Sequence, residues 1–282
     1  MINRVRRNLR RRIEKRAFEL SISRFVSTYP VLNSLFFGYK VNVAVDPESG
    51  LIRVHDEDDS ILVGRPSRAK VFEQGLAARA NALSKQYFLD RVPIQNGDLV
   101  IDIGANVGEL SRAAIRRGAR TISIEPEEIE ISALRRNLGD ADAVIVPFAL
   151  WKEETELTFY SKNNTGDSSL IETSDYEDKR IVKATTLDAV YAAHANGTRV
   201  RFLKLEAEGA EPEILDGATR MLDQVDYISA DVGPERGVTA DNTLVPVLER
   251  LLGFGFAPVA FEHSRGVLLL KNRNAAVTDD AN

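Results

Sequence analysis

Over the first twenty residues, Ile2, Val5, Leu9, Ile13, Ala17 and Leu20 recur at three- and four-residue steps, the period of one helical face. Arg6, Arg7, Arg10, Arg11, Lys15 and Arg16 surround that stripe, so the predicted helix is basic as well as amphipathic. Beyond residue 40 the period falls to two. Val41, Val43 and Val45 alternate, Asp46-Pro-Glu-Ser-Gly50 supplies turn chemistry, and Ile52 and Val54 resume, which predicts a small sheet over 41–63. Val71, Leu76, Ala80, Leu83 and Phe88 predict a helix within 67–91, punctuated by Asn96-Gly97-Asp98.

From residue 99 strand and helix patterns alternate, the mark of a parallel sheet covered by helices. Strands are predicted at 99–103, 121–125, 143–148, 202–205 with Val200 leading in, and 227–231, and helices at 107–117, 127–137 and 210–222. The segments 254–261 and 266–271, joined only by a polar turn at 263–265, predict an antiparallel pair. A mainly parallel sheet closing on a hairpin suits a methyltransferase better than a dehydrogenase. The polar stretch 161–178 is expected to loop over the sheet's edge as a substrate lid, and its Asn163, Asn164, Asp167, Ser168, Ser169 and Glu172 suit a hydroxyl-rich acceptor. The division expected is a basic arm at 1–40, an extension of small sheet plus helix at 41–95, a cofactor-binding domain at 96–273 and a disordered tail at 274–282.

Composition narrows the chemistry. The 282 residues include no cysteine, which excludes disulfides, thiolate nucleophiles, cysteine-bound zinc and iron–sulfur clusters. His55, His194 and His263 are scattered, so a histidine-rich metal site is not expected, and no metal is assigned. Residues 1–40 hold ten Lys and Arg against two Asp and Glu, a net +8, and the rest of the chain carries −13. The acidic body argues against a nucleic-acid partner, whereas the basic helix suits the surface of an anionic membrane or the pairing of two subunits. No apolar run approaches the ~18 residues of a membrane span, and Arg10, Arg11, Arg12 and Lys15 interrupt any secretory signal. The expectation is a cytoplasmic protein, at most peripheral at the inner membrane surface.

The motif with the most chemistry is Asp102-Ile-Gly-Ala-Asn-Val-Gly108-Glu109, where a buried strand turns directly into a helix. Gly104 permits the tight turn and Gly108 a close approach of ligand or helix, at the sheet edge where open α/β folds bind ligands. A dinucleotide fingerprint needs a glycine where Asn106 stands. Asp102, just before the turn, would repel a pyrophosphate but suits S-adenosylmethionine (SAM), whose amino-acid portion carries an ammonium and whose sulfur is cationic. Glu125, ending the next strand, stands where a carboxylate accepts both ribose hydroxyls.

These residues resemble the FkbM-type SAM-dependent methyltransferases. The resemblance rests on that motif, on Ile124-Glu125-Pro126, on Thr186-Leu187-Asp188, and on Lys204-Leu-Glu-Ala-Glu208-Gly-Ala-Glu211 followed by Ile214-Leu-Asp-Gly217-Ala. It covers roughly 95–235, more loosely the hairpin to 271, and leaves the first ninety residues largely outside. It implies a Rossmann-like seven-stranded methyltransferase sheet and methyl transfer to a hydroxyl of a sugar, glycolipid or secondary metabolite. The SAM contacts it implies are Asp102, Gly104, Asn106, Gly108, Glu109 and Glu125, with Phe148 and Ala149 at the adenine edge. The family more often has Asp at position 206 and Glu at 231, so the exchange here leaves any metal geometry open.

An alcohol needs help to lose its proton, and Lys204, Glu206, Glu208 and Asp231 are the catalytic candidates, with Glu235 following in Gly233-Pro-Glu-Arg-Gly237. Glu206 is expected on the side opposite Lys204 and Glu208. Glu211 is expected to cap the following helix. Two alternatives stay open: a non-catalytic SAM-binding scaffold, and an NAD-dependent oxidoreductase on a similar sheet.

Overall fold

The computed structural model describes residues 2–162 and 166–275. Of the tail expected at 274–282, residues 276–282 lie outside the described residues, as do Asn163 and Asn164 of the lid. The chain opens with α1 (Ile2–Phe18) and α2 (Ile22–Leu32), the latter running into a π-helical turn at Asn33–Phe37, and continues with β1 (Asn42–Val45), β2 (Ile52–His55), β3 (Ser60–Val63) and α3 (Leu76–Gln86). Then follow β4 (Leu99–Ile103), α4 (Glu109–Ile115), β5 (Arg120–Ile124), α5 (Glu128–Leu138), β6 (Ala143–Val146), β7 (Ala149–Leu150), β8 (Thr155–Ser161), β9 (Asp178–Thr185) and α6 (Leu187–His194). The last elements are β10 (Val200–Leu205), α7 (Glu211–Asp216), β11 (Val225–Asp231), the short β12 (Pro234–Arg236) and β13 (Asp241–Asn242), α8 (Leu244–Gly253), β14 (Phe256–Glu262) and β15 (Val267–Asn272).

Seven strands form the central sheet in the order β14-β15-β11-β10-β4-β5-β6. β10 pairs in parallel with both β4 and β11, β5 with β4 and β6, and only β15 runs against its neighbours. All five residues of β4 are buried, and five of the six in β10, because helices cover both faces. Strand order reverses between β4 and β10, so the crevice at their carboxyl ends is the ligand-binding position of this architecture.

The small sheet β1-β2-β3 forms as the alternation predicts. The predicted helix over 67–91 is interrupted, however: a 3-10 segment covers Pro66–Phe72, and α3 starts afresh where Asp56 accepts the Leu76 amide at 2.8 Å. The predicted helix over 210–222 is likewise cut short at Asp216, where Asp188 accepts the amides of Arg220 and Met221 and turns the chain. The 161–178 stretch connects β8 and β9, an antiparallel hairpin that forms a separate three-stranded sheet with β7, which the sequence did not predict.

The boundary drawn at residue 40 from charge does not follow the packing. Ala17, Phe25, Tyr29, Phe37, Val54 and Val63 share one apolar cluster with Val107 and Ala133 of the cofactor-binding part. Asn137 of α5 joins it by gripping β3, accepting the Leu62 amide and donating to the Leu62 carbonyl, each at 2.8 Å. Ile13 and Ala17 of α1 therefore face inward, and buried Glu14 fixes the helix through Arg10, Lys70 and the Tyr39 hydroxyl. Among the described residues no helix is long and apolar enough to cross a membrane.

Candidate active site

Every amide of the glycine loop between β4 and α4 is engaged. Gly104 and Ala105 both donate to the Ile124 carbonyl at 3.0 Å, and Gly108 donates to the Ala105 carbonyl at 2.8 Å. Asn106 donates its amide to the Glu125 carboxylate at 2.9 Å, and its own side-chain oxygen accepts from the Val107 amide at 2.9 Å. A loop whose N–H groups turn onto the neighbouring strand has no nest to offer a pyrophosphate. The two glycines have different tasks. At Gly104 (φ +71) a Cβ would stand 2.4 Å from the Glu206 carbonyl, and at Gly108 (φ +87) it would stand 2.7 Å from Leu134 of α5. Gly108 thus serves helix packing and not ligand approach. Gly104→Ala is expected to cost about 2–4 kcal/mol through strain and overpacking. A urea unfolding midpoint equal to that of the wild type would contradict this crossing.

Fully buried Asp102 does not present its carboxylate to a ligand as the sequence suggested. One oxygen accepts from the Ser111 amide at 3.1 Å and hydroxyl at 2.6 Å, and the other faces Lys204 at 3.2 Å. Lys204 Nζ also donates to the carbonyls of Ile103 (3.1 Å) and Gly104 (2.8 Å) and pairs with Glu206 at 2.7 Å. Burial pushes its pKa down, but Glu206 and Asp102 override this and hold it above the ordinary lysine value. It is a charged pin joining β4 to β10, with no lone pair to act as a base. Its bond to Glu206 also corrects the expected sidedness, since residues two apart on a strand share a face.

The pin forms the floor of a cavity of about 1280 Å³ at the carboxyl ends of β4 and β10, larger than the ~300–1,000 Å³ typical of a single small-ligand pocket. Its lining includes the glycine loop, Glu125, Phe148 and Ala149 together with Glu206, Glu208 and Glu235, with α1 and α3 contributing wall. Burial pushes Glu125 up to about 7 despite the amides of Glu127 and Asn106 that it accepts. Residues 102–266 match the family model for the methyltransferase FkbM domain. The chain belongs to the FkbM methyltransferase family.

Among solved structures, the FkbM-family chain is similar to a ribosomal protein L11 methylase from Lactobacillus delbrueckii subsp. bulgaricus. The two are 14% identical, with 67% of this chain and 77% of that one covered and a TM-score of 0.41. It is also similar to the magnesium protoporphyrin IX methyltransferase of Synechocystis PCC 6803, solved with bound SAH, at 12% identity, 73% and 86% coverage and a TM-score of 0.42. No curated protein matches.

In this methyltransferase the predicted residues separate into framework and lining. Glu109 is framework: Arg79 at 2.6 Å and Arg68 at 2.8 Å hold its carboxylate, and their charges keep its pKa low against the upward push of burial. Glu211 accepts the amides of Ala207 (2.8 Å) and Gly209 (3.1 Å) and the Thr243 hydroxyl (3.1 Å), so it braces the turn after β10, and burial pushes it up to about 7. Glu206 is held between Lys204 and the Tyr87 hydroxyl, and their pull outweighs burial to keep it charged. Asp231 receives the Gly233 amide at 3.1 Å, lies 3.5 Å from the same hydroxyl, and is raised by burial and by Glu206.

Glu208 differs from all of these. It stands at φ +51, and its carboxyl has no hydrogen-bond partner among the described residues. Burial raises its pKa well above the ordinary value, helped by the charges of Glu235 and Glu206. Glu235 is pushed up to about 8 by burial and by Asp231 and Glu206. His263 lies on the exposed turn between β14 and β15, outside the cavity wall.

Two site residues escaped the sequence reading. Tyr87, 119 residues before Glu206, places its ring under the Lys204 ammonium at 5.1 Å, and Arg265 on the β14–β15 turn lies 3.7 Å from Asp231 and 3.5 Å from Glu235. A Tyr at the end of a helix and an Arg in a polar turn carry no local signal. The 166–175 part of the lid lies over the cavity, latched by the Ser168 hydroxyl to Glu127 at 2.8 Å and by the Ser169 hydroxyl to the Glu208 carbonyl at 2.8 Å. Glu127 is in turn paired with buried Arg65 at 2.9 Å.

Proposed function

We propose that the protein is a SAM-dependent O-methyltransferase whose acceptor is a hydroxyl of a sugar, glycolipid or secondary metabolite. The carrying observation is one cavity lined both by the glycine loop and by a set of carboxyls. The loop has Glu125 beside it and no free amide, which suits a cationic adenosyl ligand and not a pyrophosphate. Glu208 and Glu235 add two elevated carboxyls, the chemistry needed to accept a hydroxyl proton.

SAM, when bound, supplies an electrophilic methyl on a cationic sulfur. Glu125, ionised, would accept the ribose hydroxyls, and Phe148 and Ala149 would hold the adenine edge. The Lys204 pin keeps the glycine loop and the end of β10 in register, which sets the distance between cofactor and acceptor. Glu208 or Glu235 takes the proton of the acceptor hydroxyl, while the lid excludes water.

Calorimetric titration with SAM, S-adenosylhomocysteine and NADH tests the reading. Micromolar binding of the two adenosyl ligands and none of NADH is expected, with Glu125→Ala at least tenfold weaker. Because Glu125 must be ionised, affinity for SAM should rise as pH increases toward about 7 and level off above it. Binding of NADH alone would return the protein to the oxidoreductases, and binding without transfer to any hydroxyl acceptor would favour a scaffold.

A further inference from the structure

We propose that α2 and the π-helical turn after it form the surface by which this protein docks on an anionic membrane, a property independent of the methyl-transfer reading. Ile13, Ala17 and Leu20 of the first apolar stripe are not available for this, since they pack into the protein's own core. The next helix differs. Arg24, Thr28, Val31 and Leu35 fall at three- and four-residue steps and are all exposed, opposite Phe25 and Tyr29, which are buried. Val31, Leu35 and Phe36 are 61%, 67% and 37% exposed, three large apolar side chains within six residues, and Leu9 on α1 is exposed too.

Scattered apolar residues on a surface need no explanation, but these share a segment with most of the chain's unbalanced positive charge. Residues 1–40 carry a net +8 against −13 for the rest. Arg12, Arg16 and Arg24 are exposed, and no ion pair engages them among the described residues. α1 is held to the π-helical turn by the rings of Phe18 and Phe37, with centroids 6.2 Å apart, so the basic helix and the apolar turn are neighbours. Apolar side chains that enter the headgroup boundary, next to arginines that meet acidic lipid, are the two components of interfacial binding. The repelling acidic body would keep the remainder of the protein off the surface and orient it. Arg11, Lys15 and Phe18 of the same segment line part of the cavity, which would then lie beside the lipid.

Cosedimentation of the full chain with vesicles tests this, using phosphatidylcholine alone and phosphatidylcholine containing phosphatidylglycerol at about one lipid in three. Pelleting is expected only with the acidic vesicles, falling at least about fivefold for Leu35→Ser/Phe36→Ser and for Arg12→Glu/Arg24→Glu, and reversed by high salt. All four positions are exposed, so both variants should keep the wild-type melting temperature, and that measurement is made alongside. Absence of pelleting with acidic vesicles overturns the proposal, as does equal pelleting with neutral ones. A dimer in light scattering that Leu35→Ser/Phe36→Ser dissociates, without vesicle binding, would also overturn it by showing that a second copy covers this face.

Discussion

Lys204→Met is expected to cost roughly 3–5 kcal/mol of stability, because it leaves the fully buried Asp102 and the half-buried Glu206 as carboxylates with no cation between them. For a chain of this size that is a fall in melting temperature of roughly 10 °C. Lys204→Met/Glu206→Gln should recover part of the loss by removing one of the stranded charges. The comparison separates a pin from a catalytic base. A lysine acting only as a base would leave the melting temperature nearly unchanged and abolish turnover, and that outcome would sink the assignment.

The second large effect concerns Glu208 and Glu235. Glu208→Gln or Glu235→Gln is expected to lower kcat by about 10²–10⁴ while leaving the affinity for S-adenosylhomocysteine within a factor of three of wild type. A base must be ionised, and Glu235 is pushed up to about 8. The wild-type rate should therefore climb through that pH and reach a plateau above it. Stability runs the other way. Glu125, Glu211 and Glu235 all have folded-state pKa values raised above the ordinary carboxyl range, so the folded state binds more protons than the unfolded one. Their contribution is present below about 4.5 and is lost as pH rises through 7 to 8. Maximum rate and maximum stability should thus fall at different pH values. A rate independent of pH between 6 and 9 in both wild type and variants would remove the carboxyls from the chemistry.

Much of the framework was legible from the chain. Buried parallel strands such as Leu99–Ile103 and Val200–Leu205 are nearly continuous apolar runs, and a glycine motif directly after one of them marks its carboxyl end. The hairpin of β8 and β9 was not legible, because Asp178–Thr185 mixes charged and β-branched residues and buries only Ala184. α6 and α8 went unseen, although Thr186 caps α6 by accepting the Ala189 amide at 3.1 Å. In the site, residue types were readable and their duties were not. Asp102 and Glu206 look like free carboxylates until Lys204 is seen to touch both. Tyr87 and Arg265, on distant segments, reach the site only because the chain folds back across it.

The docking of α1 also bears on how the protein is made. The cluster that receives Ile13 and Ala17 of α1 includes Tyr39, Phe72, Val107 and Ala133, which follow it in the chain. At ~5–20 residues per second, roughly 6–25 s pass between completion of α1 and the appearance of Ala133. During that interval Ile13 and Ala17 lack part of their cluster, and any binder of nascent chains would meet them uncovered.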